Sequence, residues 1–164
     1  MIKAKARDLA KNTRKELDTK AISNLIVKDI ISSGIIDDYK IIGLYYPLKY
    51  EIDLLELRNY YNDKIFCFPK TKAFIEFYKD SGKFVKAKFN IMEPISEEIL
   101  VPEIIFVPCL AVNFNNARLG YGKGFYDSYA KVHSSRFVGV CYKECVFDFA
   151  ESNDDIKFEA IFKE

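Results

Sequence analysis

Between residues 41 and 163, short apolar runs recur with hardly a polar residue inside them, and stretches of helical spacing stand between. "KIIGLYYP", "KIFCFPK" and "EIIFVPCLAVNF" are three such runs, and "FVGVCYKECV" is a fourth. A strand without polar alternation must be covered on both faces, the condition of a strand inside a parallel sheet flanked by helices. In "TKAISNLIVKDIISSG", Ile22, Leu25, Ile26 and Ile30 recur at helical spacing, Asp18 or Thr19 can cap the start, and Gly34 suits the left-handed residue that ends a helix. Residues 3–33 therefore read as helix in two pieces, "EIDLLELRNYYN" as a short helix and "GFYDSYAKVH" as another. "AFIEFY" and "KFVKAKF" read as a strand pair around "KDSG", and the tail as loop plus a short strand, "KFEAIF". Strands alternating with helices predict an α/β fold, with a mostly parallel central sheet and an N-terminal helical segment. No repeat, low-complexity tract or linker appears, so residues 1–164 are expected to form a single domain.

Charge and composition exclude several classes of function. With 25 Lys plus Arg against 24 Asp plus Glu and 49% hydrophobic residues, the chain is neither disordered nor globally basic, so a long nucleic acid is not an expected ligand. The first twenty residues hold seven Lys or Arg against three acids, which leaves an RNA-binding arm as an alternative. The near-neutral total charge and the absence of RNA-motif aromatics count against it. Cys67, Cys109, Cys141 and Cys145 form no CxxC pair and sit in or beside apolar runs, as reduced, buried cysteines do. Residues 1–17 have no apolar core of signal-peptide length, and no segment is apolar enough to span a bilayer, so a cytoplasmic chain without membrane contact is expected. The single histidine, His133, rules out a multi-histidine metal site within the chain and reads as a helix-terminal residue favoured by the dipole.

"RLGYGKGFYD" concentrates the chemistry. Three of the seven glycines, Gly120, Gly122 and Gly124, occupy alternate positions in it, beside the cations Arg118 and Lys123. A strand, "IIFVP", leads through a loop into this segment and on into a helix, the geometry in which backbone N–H groups and a helix N-terminus converge on phosphate. Glycine permits positive φ and lets the backbone approach a ligand; Lys123 supplies a point charge and Arg118 a planar fork for phosphate oxygens. The pattern is neither a Walker A loop nor a GxGxxG fingerprint, and a glycine-rich turn with solvated cations is the alternative on spacing alone. Lys3 and Arg7, four apart, share a helix face that is either solvated or one side of an anion site.

The segment resembles the signature of the 5-formyltetrahydrofolate cyclo-ligase family, R-L-G-[YR]-G-[GK]-G-[YF]-Y-D. Arg118-Leu119-Gly120-Tyr121-Gly122-Lys123-Gly124-Phe125-Tyr126-Asp127 matches it at every position. Further landmarks stand in the family's order: K-x-x-x-R as Lys3 and Arg7, E-[IV]-[DE] as Glu51-Ile52-Asp53, and P-[KR] as Pro69-Lys70. The chain departs from the family where Cys109 replaces a glycine, Val112-Asn113 replace Phe-Asp, and Glu159 stands for an acidic-tail Asp, with Asp155 on that tail's first carboxylate.

The resemblance implies cyclisation of 5-formyltetrahydrofolate to 5,10-methenyltetrahydrofolate, driven by ATP with Mg²⁺ and acting on small molecules alone, with a monomer expected. It implies that Lys3, Arg7, Arg118 and the segment Leu119–Tyr126 hold ATP, and that Asp127 and Asp155 hold Mg²⁺. Glu51 would bind the pterin side of the folate, with Phe125 and Tyr126 against it near the formyl group. Arg118, Lys123 and Tyr126 would be catalytic, and Lys70 would stand near phosphate. A non-catalytic reduced-folate or nucleotide-binding relative is the alternative, motivated by Cys109 and Asn113.

Overall fold

A computed structural model describes all 164 residues. Two helices open the chain, α1 (Lys3–Lys15) and α2 (Thr19–Ser33). Asp18 caps α2 by accepting the Ala21 N–H at 3.1 Å, and Gly34 ends it at φ 69°, as the sequence pattern predicts. There follow β1 (Ile41–Gly43), α3 (Leu57–Tyr60), β2 (Ile65–Thr71), β3 (Ile75–Lys79), β4 (Phe84–Lys86), β5 (Met92–Pro94), β6 (Ile99–Leu100) and β7 (Ile104–Pro108). The chain ends with β8 (Ala111–Val112), β9 (Arg118–Leu119), α4 (Phe125–Val132), β10 (Arg136–Cys141) and β11 (Ile161–Lys163).

Seven strands form one sheet in the order β11-β10-β7-β1-β2-β3-β6. The pairs from β11 to β2 are parallel, and β3 and β6 add an antiparallel edge. β7 lies between β10 and β1, with Phe106 opposite Val138 and Ile104 opposite Ile42. Ile104, Ile105, Phe106 and Val107 have no exposed surface, so this unbroken run is the doubly covered strand its composition predicts. Burial of each such side chain stabilises the fold by roughly 1.5–3 kcal/mol. One core of 35 buried residues results, all four cysteines are free and buried within it, and no helix is long and apolar enough to cross a membrane. Parallel strands release their chains at one edge of the sheet, so the segments after β1, β2 and β7 emerge side by side.

The structure corrects several element assignments. In "EIDLLELRNYYN" only Leu57–Tyr60 is helical: Asp53 accepts the Leu55 N–H at 2.8 Å and its own N–H goes to Ser23 Oγ, a side-chain turn that displaces the first helical turn. "AFIEFY" and "KFVKAKF" do not pair. β3 lies between β2 and β6, whereas β4 pairs with β5, its Phe84 ring packed 4.9 Å from Tyr46 and 5.0 Å from Phe68. Asp80, bonded to Arg58 at 3.0 Å and to the Gly82 N–H, turns the chain between them. "EIIFVPCLAVNF" breaks after Pro108, and β8 turns back on β9 as a separate hairpin. Asn113 holds that hairpin, its Oδ1 accepting the N–H groups of Asn115 and Ala117 and its Nδ2 donating to Phe149 O. "FVGVCYKECV" is a strand only to Cys141, and "KFEAIF" only from Ile161. His133 follows α4 as expected, stacked 3.9 Å from the Tyr129 ring.

Phe158, in the part of "KFEAIF" that is not strand, is buried against β10: a Cβ on Gly139 would meet its ring at 2.8 Å. This contact fixes the tail that carries Asp155. Gly139→Ala is expected to cost roughly 1–3 kcal/mol by overpacking, read as a lower midpoint in urea unfolding.

Candidate functional site

Two cavities open where these segments emerge. One, of about 300 Å³, is walled by Tyr45 and Tyr46 after β1, Pro69 and Thr71 at the end of β2, Pro108 at the end of β7, and Phe89, Ile91 and Met92 from around β5. Glu51, Tyr121, Lys123, Phe125 and Tyr126 complete it, and most of its lining is apolar. The other, of about 260 Å³, is lined by Lys3 and Arg7 of α1, Leu119, Gly120 and Gly122, Asp127, Ser128 and Lys131 of α4, and Asp154 and Asp155 of the tail; Leu119 is its only hydrophobic residue. Arg118 and Gly124 line both.

The alternate glycines have a physical reason. From Gly120 to Gly124 the segment is the partition between the cavities: Gly120 and Gly122 face the polar one and Tyr121 and Lys123 the apolar one. The side without side chains exposes its backbone to whatever fills the polar cavity. Gly122 and Gly124 adopt φ 104° and 70°, which side chains rarely tolerate. Gly120 is required for another reason. A Cβ there would lie 2.6 Å from the Arg118 guanidinium, which packs against the bare backbone.

Arg118 is 7% exposed. Its Nε donates to Pro108 O at 3.1 Å, its Nη1 lies 3.7 Å from Asp127 Oδ2, and its guanidinium carbon is 5.0 Å from the Tyr126 ring centroid. Gly124 is the N-cap of α4 and offers no side chain to the first-turn N–H groups, which leaves them for an anion. In the polar cavity, Arg7 Nε donates to Gly120 O at 2.8 Å and Lys3 Nζ pairs with Asp155 at 2.7 Å. Burial raises the Asp155 carboxyl, but the Lys3 ammonium and the Ser152 N–H outweigh it and hold the group below its ordinary range. Asp127 Oδ1 accepts the Ile156 N–H at 3.1 Å, which ties α4 to the tail.

In the apolar cavity Glu51 is 8% exposed, with Oε1 accepting the Leu48 N–H at 2.8 Å. Burial pushes its carboxyl up, opposed by that N–H and by the charges of Arg14 and Arg118. Burial likewise raises the Tyr126 phenol, helped by the Glu51 charge, so Tyr126 is a neutral wall at physiological pH.

Every residue to which the resemblance gives a role lies on one of these two cavities, with Lys70 the exception: its Nζ donates to Ser96 O and stands 4.3 Å over the Tyr78 ring. Lys123 stands on the apolar side, its Nζ 5.2 Å from the centroid of Phe89. Sequence reasoning missed Tyr45, Phe89, Ser128, Lys131 and Asp154. Ser128 and Lys131 follow Gly124 and Asp127 at helical spacing and were within reach of a pattern search; Phe89, in a segment with no readable motif, was not. Cys109 and Asn113 line neither cavity.

Comparison with known proteins gives the family and the fold. Residues 3–146 match the model of the 5-formyltetrahydrofolate cyclo-ligase family. A 5-formyltetrahydrofolate cyclo-ligase of Mycoplasma genitalium is 29% identical over 163 residues, covering 93% of this chain and 84% of the relative. A 5,10-methenyltetrahydrofolate synthetase structure from Aquifex aeolicus superposes with a TM-score of 0.86 at 28% identity, over 99% of this chain and 90% of that one. A second synthetase structure, from Mycoplasma pneumoniae, gives a TM-score of 0.82 at 20% identity, over 99% and 98%, and shares the fold.

The buried Glu51 charge is a strain on the folded state. Its folded carboxyl titrates above the unfolded one, so the penalty is absent below the unfolded value of about 4.3 and complete once pH exceeds the raised folded value. Glu51→Gln is therefore expected to raise the melting temperature at pH 8, with the gain vanishing toward pH 4 in parallel thermal melts.

Proposed function

The chain belongs to the 5-formyltetrahydrofolate cyclo-ligase family, and we propose that it converts 5-formyltetrahydrofolate to 5,10-methenyltetrahydrofolate at the expense of ATP, releasing ADP and phosphate. The observation that carries this is the pair of cavities of opposite character joined at Arg118 and Gly124. An apolar cavity with one buried carboxylate suits a pterin ring, a cation-lined cavity with a glycine wall suits a polyphosphate, and the reacting groups would meet at the shared wall.

A formyl oxygen is a poor leaving group. Transfer of the γ-phosphoryl group to it breaks the anhydride bond to ADP and makes an imidate-like phosphate. The N10 lone pair then attacks the formyl carbon, the carbon–oxygen bond breaks with its electrons going to phosphate, and the N10 proton is lost. Such chemistry asks for alignment and charge neutralisation rather than a protein nucleophile, in keeping with a site that contains no histidine.

In this scheme Lys3, Arg7 and the backbone from Leu119 to Tyr126 hold ATP, with Arg118 at the transferring phosphoryl group and Lys123 adding a mobile charge beside Gly124. Glu51 accepts hydrogen bonds from the pterin, and Phe125 and Tyr126 press the folate against Arg118. Asp127 and Asp155 are hard oxygen donors on the polar cavity, while the neighbouring Asp154 is paired with Lys131 at 2.7 Å. No third acid, histidine or cysteine stands close enough to complete a metal cluster with them, and as hard oxygen donors the two would hold a Mg²⁺ ion. Bound there, the ion would neutralise phosphate charge. The departures that would favour a purely binding role, Cys109 and Asn113, lie outside both cavities, and Asn113 is occupied in the β8–β9 turn.

The test is the ultraviolet absorbance of the methenyl product when protein, 5-formyltetrahydrofolate, Mg²⁺ and ATP are mixed, with ATP omitted as control. An ATP-dependent rise is expected, and Arg118→Ala should slow it about 100-fold, roughly 3 kcal/mol of transition-state stabilisation; no rise with the wild type would overturn the assignment. Asp127→Asn should raise the Mg²⁺ concentration for half-maximal rate by about ten-fold, and an unchanged Mg²⁺ titration would remove Asp127 from the ion's ligands.

A further inference from the structure

The buried residues of α1 are Ala6, Ala10 and Arg14, a stripe at four-residue spacing that ends in a guanidinium where the pattern calls for an apolar side chain. Arg14 is 5% exposed, takes part in none of the protein's salt bridges, and its Nε–H has no hydrogen-bond partner. A charge removed from water without a salt bridge destabilises a fold, and a Met of similar length would fill the space without that penalty. Rules of folding are broken in this way where function demands it.

What Arg14 touches shows the demand. Its Nη2 donates to the Tyr121 hydroxyl at 2.7 Å, and its guanidinium carbon lies 5.7 Å from the centroid of the same ring. Tyr121 is the side chain that the glycine segment turns toward the apolar cavity, and it stands between Gly120 and Gly122, whose lack of side chains leaves nothing local to hold it. Arg7, two helical turns before Arg14 and on the same face of α1, already holds Gly120 O at 2.8 Å. One helix thus grips two consecutive residues of the partition, the backbone of one and the side chain of the next.

We propose that Arg14 is a positioning residue for the folate side of the site, fixing Tyr121 and through it the wall between the two cavities. The proposal rests on the folate assignment of the apolar cavity made above. The charge of Arg14 has a second effect in the same cavity: together with Arg118 it opposes the upward push of burial on the Glu51 carboxyl.

The experiment compares wild-type protein with Arg14→Met, Arg14→Lys, Tyr121→Phe and the Arg14→Met/Tyr121→Phe double variant, by amide hydrogen exchange and by steady-state kinetics. Exchange in residues 119–124 should rise about five-fold in Arg14→Met and Tyr121→Phe, while β7 and β10 stay as protected as in the wild type. The KM for 5-formyltetrahydrofolate should rise about ten-fold in Arg14→Met with kcat nearly unchanged and a smaller rise in the KM for ATP, which meets the backbone of the same segment; Arg14→Lys should recover part of the loss, and the double variant should be no worse than Arg14→Met. An unaltered folate KM, additive losses in the double variant, or exchange raised evenly across the sheet would overturn the proposal. Should Arg14→Met fail to fold, Arg14→Lys and Tyr121→Phe carry the same exchange and KM comparisons. If the wild type makes no methenyl product, the cyclo-ligase assignment falls separately; a local rise in exchange then still supports the tether, and its absence overturns it.

Discussion

One buried guanidinium organises the site. Arg118 is held at the end of β7 by Pro108 O, faces the Asp127 carboxylate, lies against the Tyr126 ring, and leaves no room for a Cβ on Gly120. Its placement forces the next residue but one to be glycine and sets the boundary between an apolar and a polar cavity. An exposed arginine would have its charge screened by water. One that is 7% exposed acts at a lower effective dielectric, where an anion beside it would feel it far more strongly.

The polar cavity is assembled from the two ends of the chain. α1 supplies Lys3 and Arg7, the tail supplies Asp154 and Asp155, and the glycine segment and α4 stand between them. The ion pair of Lys3 with Asp155 and the bond from Ile156 N–H to Asp127 join the N-terminal helix, the tail and α4 around the same space. This gives the polar cavity both signs of charge, which suits a phosphate that arrives with a divalent cation. The sheet contributes differently: parallel strands put the ends of β1, β2 and β7 on one edge, so the apolar cavity is built from loops that emerge already side by side.

Legibility followed the range of the interactions involved. The α2 cap at Asp18, its end at Gly34 and the buried strand at 104–107 follow from neighbours within a few residues, and the sequence pattern finds them. The partnership of β4 with β5 does not, because Phe84 is committed by rings of Tyr46 and Phe68, far away in the chain, and no local propensity encodes that choice. Asn113 joins both ranges: its Oδ1 accepts from Asn115 and Ala117 within the turn, while its Nδ2 donates to Phe149 O, a partner that no local pattern encodes. In the site, the decapeptide from Arg118 to Asp127 locates the partition at once. Phe89 and Lys131 enter the cavities only through the folding of separate segments.

By itself the sequence determined the class of fold, the glycine segment between strand and helix, and the cations in and near it, since periodicity, glycine conformation and charge are properties of residues and their near neighbours. The tertiary structure alone decided that Gly120 and Gly122 face one cavity and Tyr121 and Lys123 the other, that Lys70 is spent on Ser96, and that Arg14 is buried without a salt bridge beside the partition. Each of these depends on which distant surface a side chain is pressed against. Burial and the local dielectric come from the whole packed chain, and no window of sequence contains them.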